Sequence, residues 1–158
     1  MDVNIAMRPE AVALGRSENG KRSAKQAILA RVADLFSQAY GLEATDILEG
    51  LEQREALGST GFGKGIAIPH CRSLGVNRPT LVLLKLDTPC NFEAADAEPV
   101  SLVFGLVSPE NAGATQLHAL AAISRVLRDE TMLQALHDAD DAEALYALLT
   151  NQFLRDAA

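Results

Sequence analysis

Two stretches of this chain, Thr80 to Leu86 and Val100 to Val107, are almost unbroken apolar runs, and a strand without polar alternation has to be covered on both faces. A sheet buried on both sides needs helices above and below it. The expected fold is therefore α+β, an α/β sandwich of three layers with helices on both faces of a central sheet. The connections between the apolar runs are too uneven for regular strand–helix alternation, so the sheet should mix parallel and antiparallel neighbours. A length of 158 residues suits one such domain.

The covering helices follow from periodicity. Ile28, Val32, Leu35 and Phe36 recur at helical spacing behind a Ser23–Gln26 capping-box pair, until Gly41 stops the run. A second helix opens near Ala44 or Thr45, carries Ile47, Leu48 and Leu51, and ends around Arg54 and Glu55 before Gly58. Beyond the turn residues Ser108, Pro109, Glu110, Asn111 and Gly113, a third runs from about Thr115 to Arg128 with His118 in its first turn. Met132, Leu133 and Leu136 mark a fourth. An Asp140–Glu143 capping box opens a fifth through Leu145, Leu148 and Leu149. Residues 1–22, with Pro9, Gly15 and Gly20, read as an irregular entry segment, leaving 23–155 as a single domain.

Charge and composition remove several function classes. Acidic residues outnumber basic ones by 21 to 14 and no dense Lys/Arg cluster occurs, so the chain lacks the footprint of a nucleic-acid binder. No apolar run reaches the length of a bilayer span and the first residues do not resemble a signal peptide. A cytoplasmic location without membrane insertion is expected. Cys71 and Cys90 form neither a disulfide framework nor a zinc signature.

Chemistry concentrates between Arg54 and Cys71. Gly58 to Gly65 places four glycines in eight residues and leads into Ile66–Ala67–Ile68–Pro69–His70. Gly58, Gly63 and Lys64 fit the start of a P-loop, but Gly65 stands where a Ser or Thr hydroxyl is required, and an apolar strand follows where a helix should. Glycines also let backbone N–H groups approach an anion closely. Ser59, Thr60, Gly61, Gly63 and Gly65 are then candidates to surround a phosphate carried on His70. Pro69 cannot donate to a sheet ladder, so the strand should end there and leave His70 at its mouth. Taken alone, a strand-end histidine is more often structural. Arg54 could be a solvated helix end or a guanidinium that spreads a phosphoryl's charge. His118 could be an ordinary helix-start residue or a neutral imidazole donor favoured by the helix N-terminus. His137, near a helix end, reads as structural. Metal binding is not expected, because His70 and Cys71 point to opposite faces and no histidine pair repeats at i, i+4. A cysteine hydrolase using Cys71 with His118 as base lacks an identifiable orienting residue.

The stretch Arg54 to His70, Arg-Glu-Ala-Leu-Gly-Ser-Thr-Gly-Phe-Gly-Lys-Gly-Ile-Ala-Ile-Pro-His, closely resembles the signature of enzyme IIA domains of the bacterial phosphoenolpyruvate:sugar phosphotransferase system, mannitol/fructose class. Leu102 to Pro109 and Gln116 to Leu120 are similar to that family's later strand and second-histidine segment, so the resemblance spans about residues 20 to 152. It implies a mixed sheet between helical layers, a phosphoryl group accepted on His70, His118 as second active-site histidine and Arg54 as phosphate-stabilising arginine. It further implies an HPr-type phosphocarrier as donor and no cofactor. A free-standing domain of this length is most similar to the nitrogen-related branch, whose members act as regulators of partner proteins switched by phosphorylation. The alternative is a sugar-specific component that hands the phosphoryl group to a separate IIB. Cys71 departs from the Gly or Ala that commonly follows the histidine in that family.

Overall fold

The computed structural model describes residues 5–15, 24–94, 96–111 and 113–157. Strand β1 spans Val12–Gly15, helix α1 Ala24–Tyr40 and α2 Ala44–Ala56; strands β2 (Gly61–Gly63), β3 (Ile66–Ala67), β4 (His70–Ser73), β5 (Thr80–Cys90) and β6 (Val100–Pro109) follow. Helices α3 (Thr115–Arg128), α4 (Glu130–Asp138) and α5 (Ala142–Ala157) close the chain. The sheet order is β1-β5-β6-β3-β2, with β4 also on β6, and both parallel and antiparallel pairs occur.

Side-chain parity splits the core into two layers. Val82, Leu84, Val103 and Val107 face α1 and α2 through Val32, Phe36, Ile47 and Leu51, whereas Leu81, Leu83, Leu102, Phe104 and Leu106 face Ala119, Ile123, Leu136, Leu145 and Leu149. The helices therefore cover the apolar runs from both sides. Helix and sheet meet tightly at Gly105, where an added Cβ would stand 2.6 Å from a Val32 methyl and 2.7 Å from a Val82 methyl. On the other face Lys85 reaches from β5 to the end of α4, and its ammonium donates to the carbonyls of Leu136, His137 and Ala139 at 3.1, 2.7 and 2.7 Å. A cation there satisfies carbonyls that the helix leaves unpaired and complements its dipole.

Three local expectations change. The entry segment is not irregular throughout: Val12–Gly15 forms β1, parallel to β5 with Val12 opposite Leu83, after a 3-10 turn at Pro9–Ala11. Four residues are too few for a period-2 pattern to stand out. The last helix is capped by Asp141, whose Oδ1 accepts the Ala144 N–H at 2.8 Å, rather than by Asp140. Finally, Pro69 interrupts the strand without ending it. Ile66 pairs with Leu102 and His70 with Leu106, both parallel and at the same offset, so β3 and β4 are two parts of one strand. The Ser23 cap lies outside the described residues.

The tightness at Gly105 yields a direct test. Gly105→Ala should destabilise the fold by about 1–3 kcal/mol through overpacking, read as a lower midpoint in chemical unfolding with an unchanged slope.

Candidate functional site

Because β4 keeps the register of β3, sheet parity fixes where its side chains go. His70 shares the face of its partner Leu106, the face covered by α3, and Cys71 shares that of Val107, the face covered by α1 and α2. His70 as a residue is 8% exposed. Its Nδ1 lies 2.8 Å from the Ile68 carbonyl; a carbonyl only accepts, so Nδ1 carries the proton and Nε2 keeps its lone pair. That lone pair faces Arg54, which comes from the last turn of α2 and sets its Nε 3.3 Å from Nε2. The same guanidinium donates to the Gly58 carbonyl at 2.8 Å. Burial pushes the His70 imidazole below its ordinary value; the Arg54 charge adds to that, while the Ile68 hydrogen bond and Glu55 oppose it. The outcome is a neutral ring with one nucleophilic nitrogen beside a fixed positive charge.

Glu55, adjacent to Arg54, turns inward. Its carboxylate pairs with Lys25 at 2.7 Å, accepts the Thr60 N–H at 3.2 Å and is also bound by the Thr60 hydroxyl. Lys25 in turn sits 4.9 Å from the centre of the buried Phe92 ring. Thr60 continues the chain, since its carbonyl accepts the Ile68 N–H at 3.0 Å. Lys25, Glu55, Thr60 and Ile68 thus form a connected support that ends at the Nδ1 proton of His70. Sequence reasoning treated Glu55 only as a neighbour of Arg54 and missed Lys25. Nothing in the spacing of residues 25 and 55 marks them as partners.

The glycine loop departs from expectation. Thr60 spends its amide and hydroxyl on Glu55, and the Gly61 N–H donates to Ser59 Oγ at 3.1 Å. Gly63 and Gly65 belong to the β2–β3 hairpin, whose two-residue turn Lys64–Gly65 has φ of 57° and 78°. Positive φ at both positions is what a tight hairpin of that kind requires. The Gly65 carbonyl accepts from Ser101 and Leu102, roughly 13 Å along β6 from the Leu106 position opposite His70. These glycines shape a turn and do not surround His70.

Cys71 is buried, with its Sγ 3.9 Å from the Ile47 carbonyl and against Gly50 of α2. Burial, reinforced by Glu110, pushes the thiol up to about 12. A thiol held protonated on the sheet face opposite α3, the helix that carries His118, does not serve a hydrolase with that base. His118 lies half-buried in the first turn of α3 and makes no hydrogen bond to His70 or Arg54 among the described residues. The structure brings Arg54 and His70 together and leaves His118 outside that pair. Among the described residues no group of three or more His, Cys, Asp and Glu side chains is placed to hold a metal ion.

Comparison with known proteins bears on the family and the fold. The nitrogen regulatory protein of Bradyrhizobium diazoefficiens is 39% identical over 149 residues, covering 94% of this chain and 95% of its own length. The crystal structure of nitrogen regulatory protein IIA-Ntr from Neisseria meningitidis superposes with a TM-score of 0.78 at 33% identity, over 90% of this chain and 94% of that one. A chain of the complex of enzyme IIAMTL and phosphorylated enzyme IIBMTL from Escherichia coli gives a TM-score of 0.74 at 18% identity, over 94% and 99%, which is a likeness of fold. The family model for the phosphoenolpyruvate-dependent sugar phosphotransferase system, EIIA 2, matches residues 17–152. With the fold, the histidine–arginine pair and most of the chain inside that match, this protein belongs to the EIIA 2 family of the phosphotransferase system.

Proposed function

We infer that the chain is a phosphocarrier that takes a phosphoryl group onto Nε2 of His70 from an HPr-type histidine phosphoprotein, and that it acts mainly as a regulator switched by that phosphorylation. The observation that carries the reading is the division of labour on one ring: Nδ1–H bound to the Ile68 carbonyl at 2.8 Å, and Nε2 with its lone pair accepting the Arg54 Nε–H at 3.3 Å, a contact that an incoming phosphorus atom replaces. In the transfer, the Nε2 lone pair forms a bond to the donor's phosphorus in line with the departing nitrogen. The donor P–N bond breaks and its electron pair returns to the donor imidazole. The positive charge that develops on the His70 ring is stabilised through Nδ1–H by the Ile68 carbonyl, and the Arg54 guanidinium offsets the charge on the equatorial oxygens. Positioning and electrostatics supply the catalysis.

Identity to nitrogen regulatory proteins along nearly their whole length favours the regulatory branch. The sugar-transport alternative draws on the fold likeness to the mannitol complex. Adding a IIB acceptor separates them: a transport component loses its label to IIB at a rate matching its loading, and a regulator keeps it.

Incubation with phosphoenolpyruvate, enzyme I and an HPr-type carrier should give an acid-labile, base-stable phosphate on the chain. Label on His70→Ala would overturn the reading. Arg54→Gln should label about 100-fold more slowly, as for loss of one charge-stabilising donor. A second expectation concerns pH. His70 is held below its ordinary value of 6.5 in the fold and returns to it on unfolding, so the unfolded chain binds the extra proton. Its contribution to stability is complete above pH 6.5 and is lost as pH falls from there toward the depressed folded value. Unfolding curves from pH 8 to pH 5 should show a decline that His70→Gln makes shallower; equal declines in both proteins would contradict the assignment of a neutral ring.

A further inference from the structure

Lys25 lies in the first turn of α1 and Glu55 in the last turn of α2. Each charge is at the unfavourable end of its helix, since the dipole favours anions at an N-terminus and cations at a C-terminus. Both side chains are also withdrawn from water, at 12% and 4% exposure. A buried ion pair loses in desolvation much of what it gains by attraction, and apolar residues of similar volume are often as stable. Stability is therefore a poor reason for two charges set against both helix dipoles, and what they hold in place is a better one.

Glu55 Oε2 meets the Lys25 ammonium at 2.7 Å and accepts the Thr60 N–H at 3.2 Å, while Oε1 accepts the Thr60 hydroxyl. One carboxylate thus holds both groups that Thr60 can donate. The Thr60 carbonyl accepts the Ile68 N–H at 3.0 Å, and the Ile68 carbonyl accepts Nδ1–H of His70 at 2.8 Å. Lys25 is itself fixed by a second contact, 4.9 Å from the centre of the fully buried Phe92 ring. Ala94, two residues further on, lies against Gly61, where an added Cβ would stand 2.5 Å from the alanine methyl. The ammonium therefore sits where α1, the end of α2 and the segment after β5 meet the start of the glycine hairpin. Without it, Glu55 is a buried carboxylate lacking a counter-ion, and the cation beside it in the chain is Arg54. A turn toward Arg54 releases Thr60 and engages the guanidinium that donates to His70 Nε2 at 3.3 Å.

We propose that Lys25 is a positioning residue for phosphoryl transfer: by holding Glu55 on Thr60 it keeps His70 in the Nδ1–H tautomer and leaves the Arg54 guanidinium to Nε2. The inference rests on the phosphocarrier reading above. Lys25 acts through Glu55, Thr60 and Ile68, so its charge is not what binds the phosphoryl group. The hydrogen bond made by one ring nitrogen decides which of the two carries the proton, and a ring protonated at Nε2 has no lone pair there to offer phosphorus.

The experiment compares the parent with Lys25→Met, with the double variant Lys25→Met/Glu55→Gln and with Lys85→Met. It reads the rate of labelling by the phosphorylated HPr-type carrier and the nitrogen NMR signals of the His70 ring, which tell Nδ1–H from Nε2–H. Lys25→Met keeps an apolar side chain of similar length without the charge. It should load about 10- to 100-fold more slowly, the scale on which a small misplacement of a reacting group acts, and its ring should show both tautomers. In the double variant the amide offers an oxygen to the Thr60 N–H and an N–H to the Thr60 hydroxyl, with no charge left to compensate. It should recover most of the rate and the single tautomer. Lys85→Met removes a cation from the end of α4, so it should unfold at lower temperature and still load at the parental rate. Parental loading and a single tautomer in Lys25→Met would overturn the inference and leave the phosphocarrier reading standing. So would a double variant no faster than Lys25→Met, or equal slowing in Lys85→Met. Absence of label on the parent would overturn both. Should Lys25→Met fail to fold, Glu55→Ala carries the same test, because it frees Thr60 without leaving a buried anion: slow loading with both tautomers supports the inference and parental values overturn it.

Discussion

Strand β6 is the constraint on which the rest of the molecule depends. It is paired to β5 on one side and to β3 and β4 on the other, and is buried on both faces along most of its length. A strand so enclosed has one register that keeps its apolar residues inside, because a slip of one residue exchanges its two faces. That register passes to β4 across Pro69, and with it the direction of every side chain near the site. His70 turns toward α3 and Cys71 toward α2 for the same reason that Leu106 and Val107 do. The position of the candidate nucleophile is thus a by-product of core burial in a strand more than thirty residues away.

The charges around His70 are arranged by burial as much as by attraction. Arg54 and Glu55 are adjacent on α2, about 100° apart on the helix, and the fold uses them in opposite directions. Glu55 is 9% exposed and is met by Lys25 and Thr60; a buried carboxylate without such partners would be costly. That pairing matters for Arg54, which would otherwise have a carboxylate neighbour to neutralise it. With Glu55 committed elsewhere, the guanidinium keeps its hydrogen-bonding capacity for the Gly58 carbonyl and His70. The route from Glu55 through Thr60 and Ile68 also determines which ring nitrogen of His70 holds the proton.

What the sequence disclosed follows the range of the interactions concerned. The three-layer arrangement was legible because double-sided burial leaves unbroken apolar runs, and α3 was legible to the residue because turn signals precede it and its stripe is clear. Gly41 ends α1 with φ of 71°, as a helix-stopping glycine should. The pairing of Arg54 with His70 followed from a helix end preceding a short loop. Strand β1 was not legible, since its stability comes from docking against β5 and not from its own four residues. The glycine loop was misread in its second half because hairpin turns and anion-binding loops draw on the same residue. Only the pairing partner distinguishes them, and Gly65 finds its partners on β6.

On the phosphocarrier reading, the geometry also explains how modification of a nearly buried ring could be felt outside. A phosphoryl group adds up to two negative charges to a chain already at −7, and the cation bonded to His70 is Arg54. The guanidinium holds the Gly58 carbonyl at 2.8 Å in the unmodified state, and its donors are arranged in a planar fork suited to phosphoryl oxygens. Turning that fork onto the phosphoryl withdraws a donor from Gly58, which has φ of 145° and follows Leu57, a residue 84% exposed. Glu55 and Thr60 are held through Lys25, so the segment between Leu57 and Ser59 is what joins the Arg54 contact to the surface. The buried nitrogen is in this way linked through Arg54 and Gly58 to an exposed apolar side chain, the kind of surface on which a partner can distinguish two states.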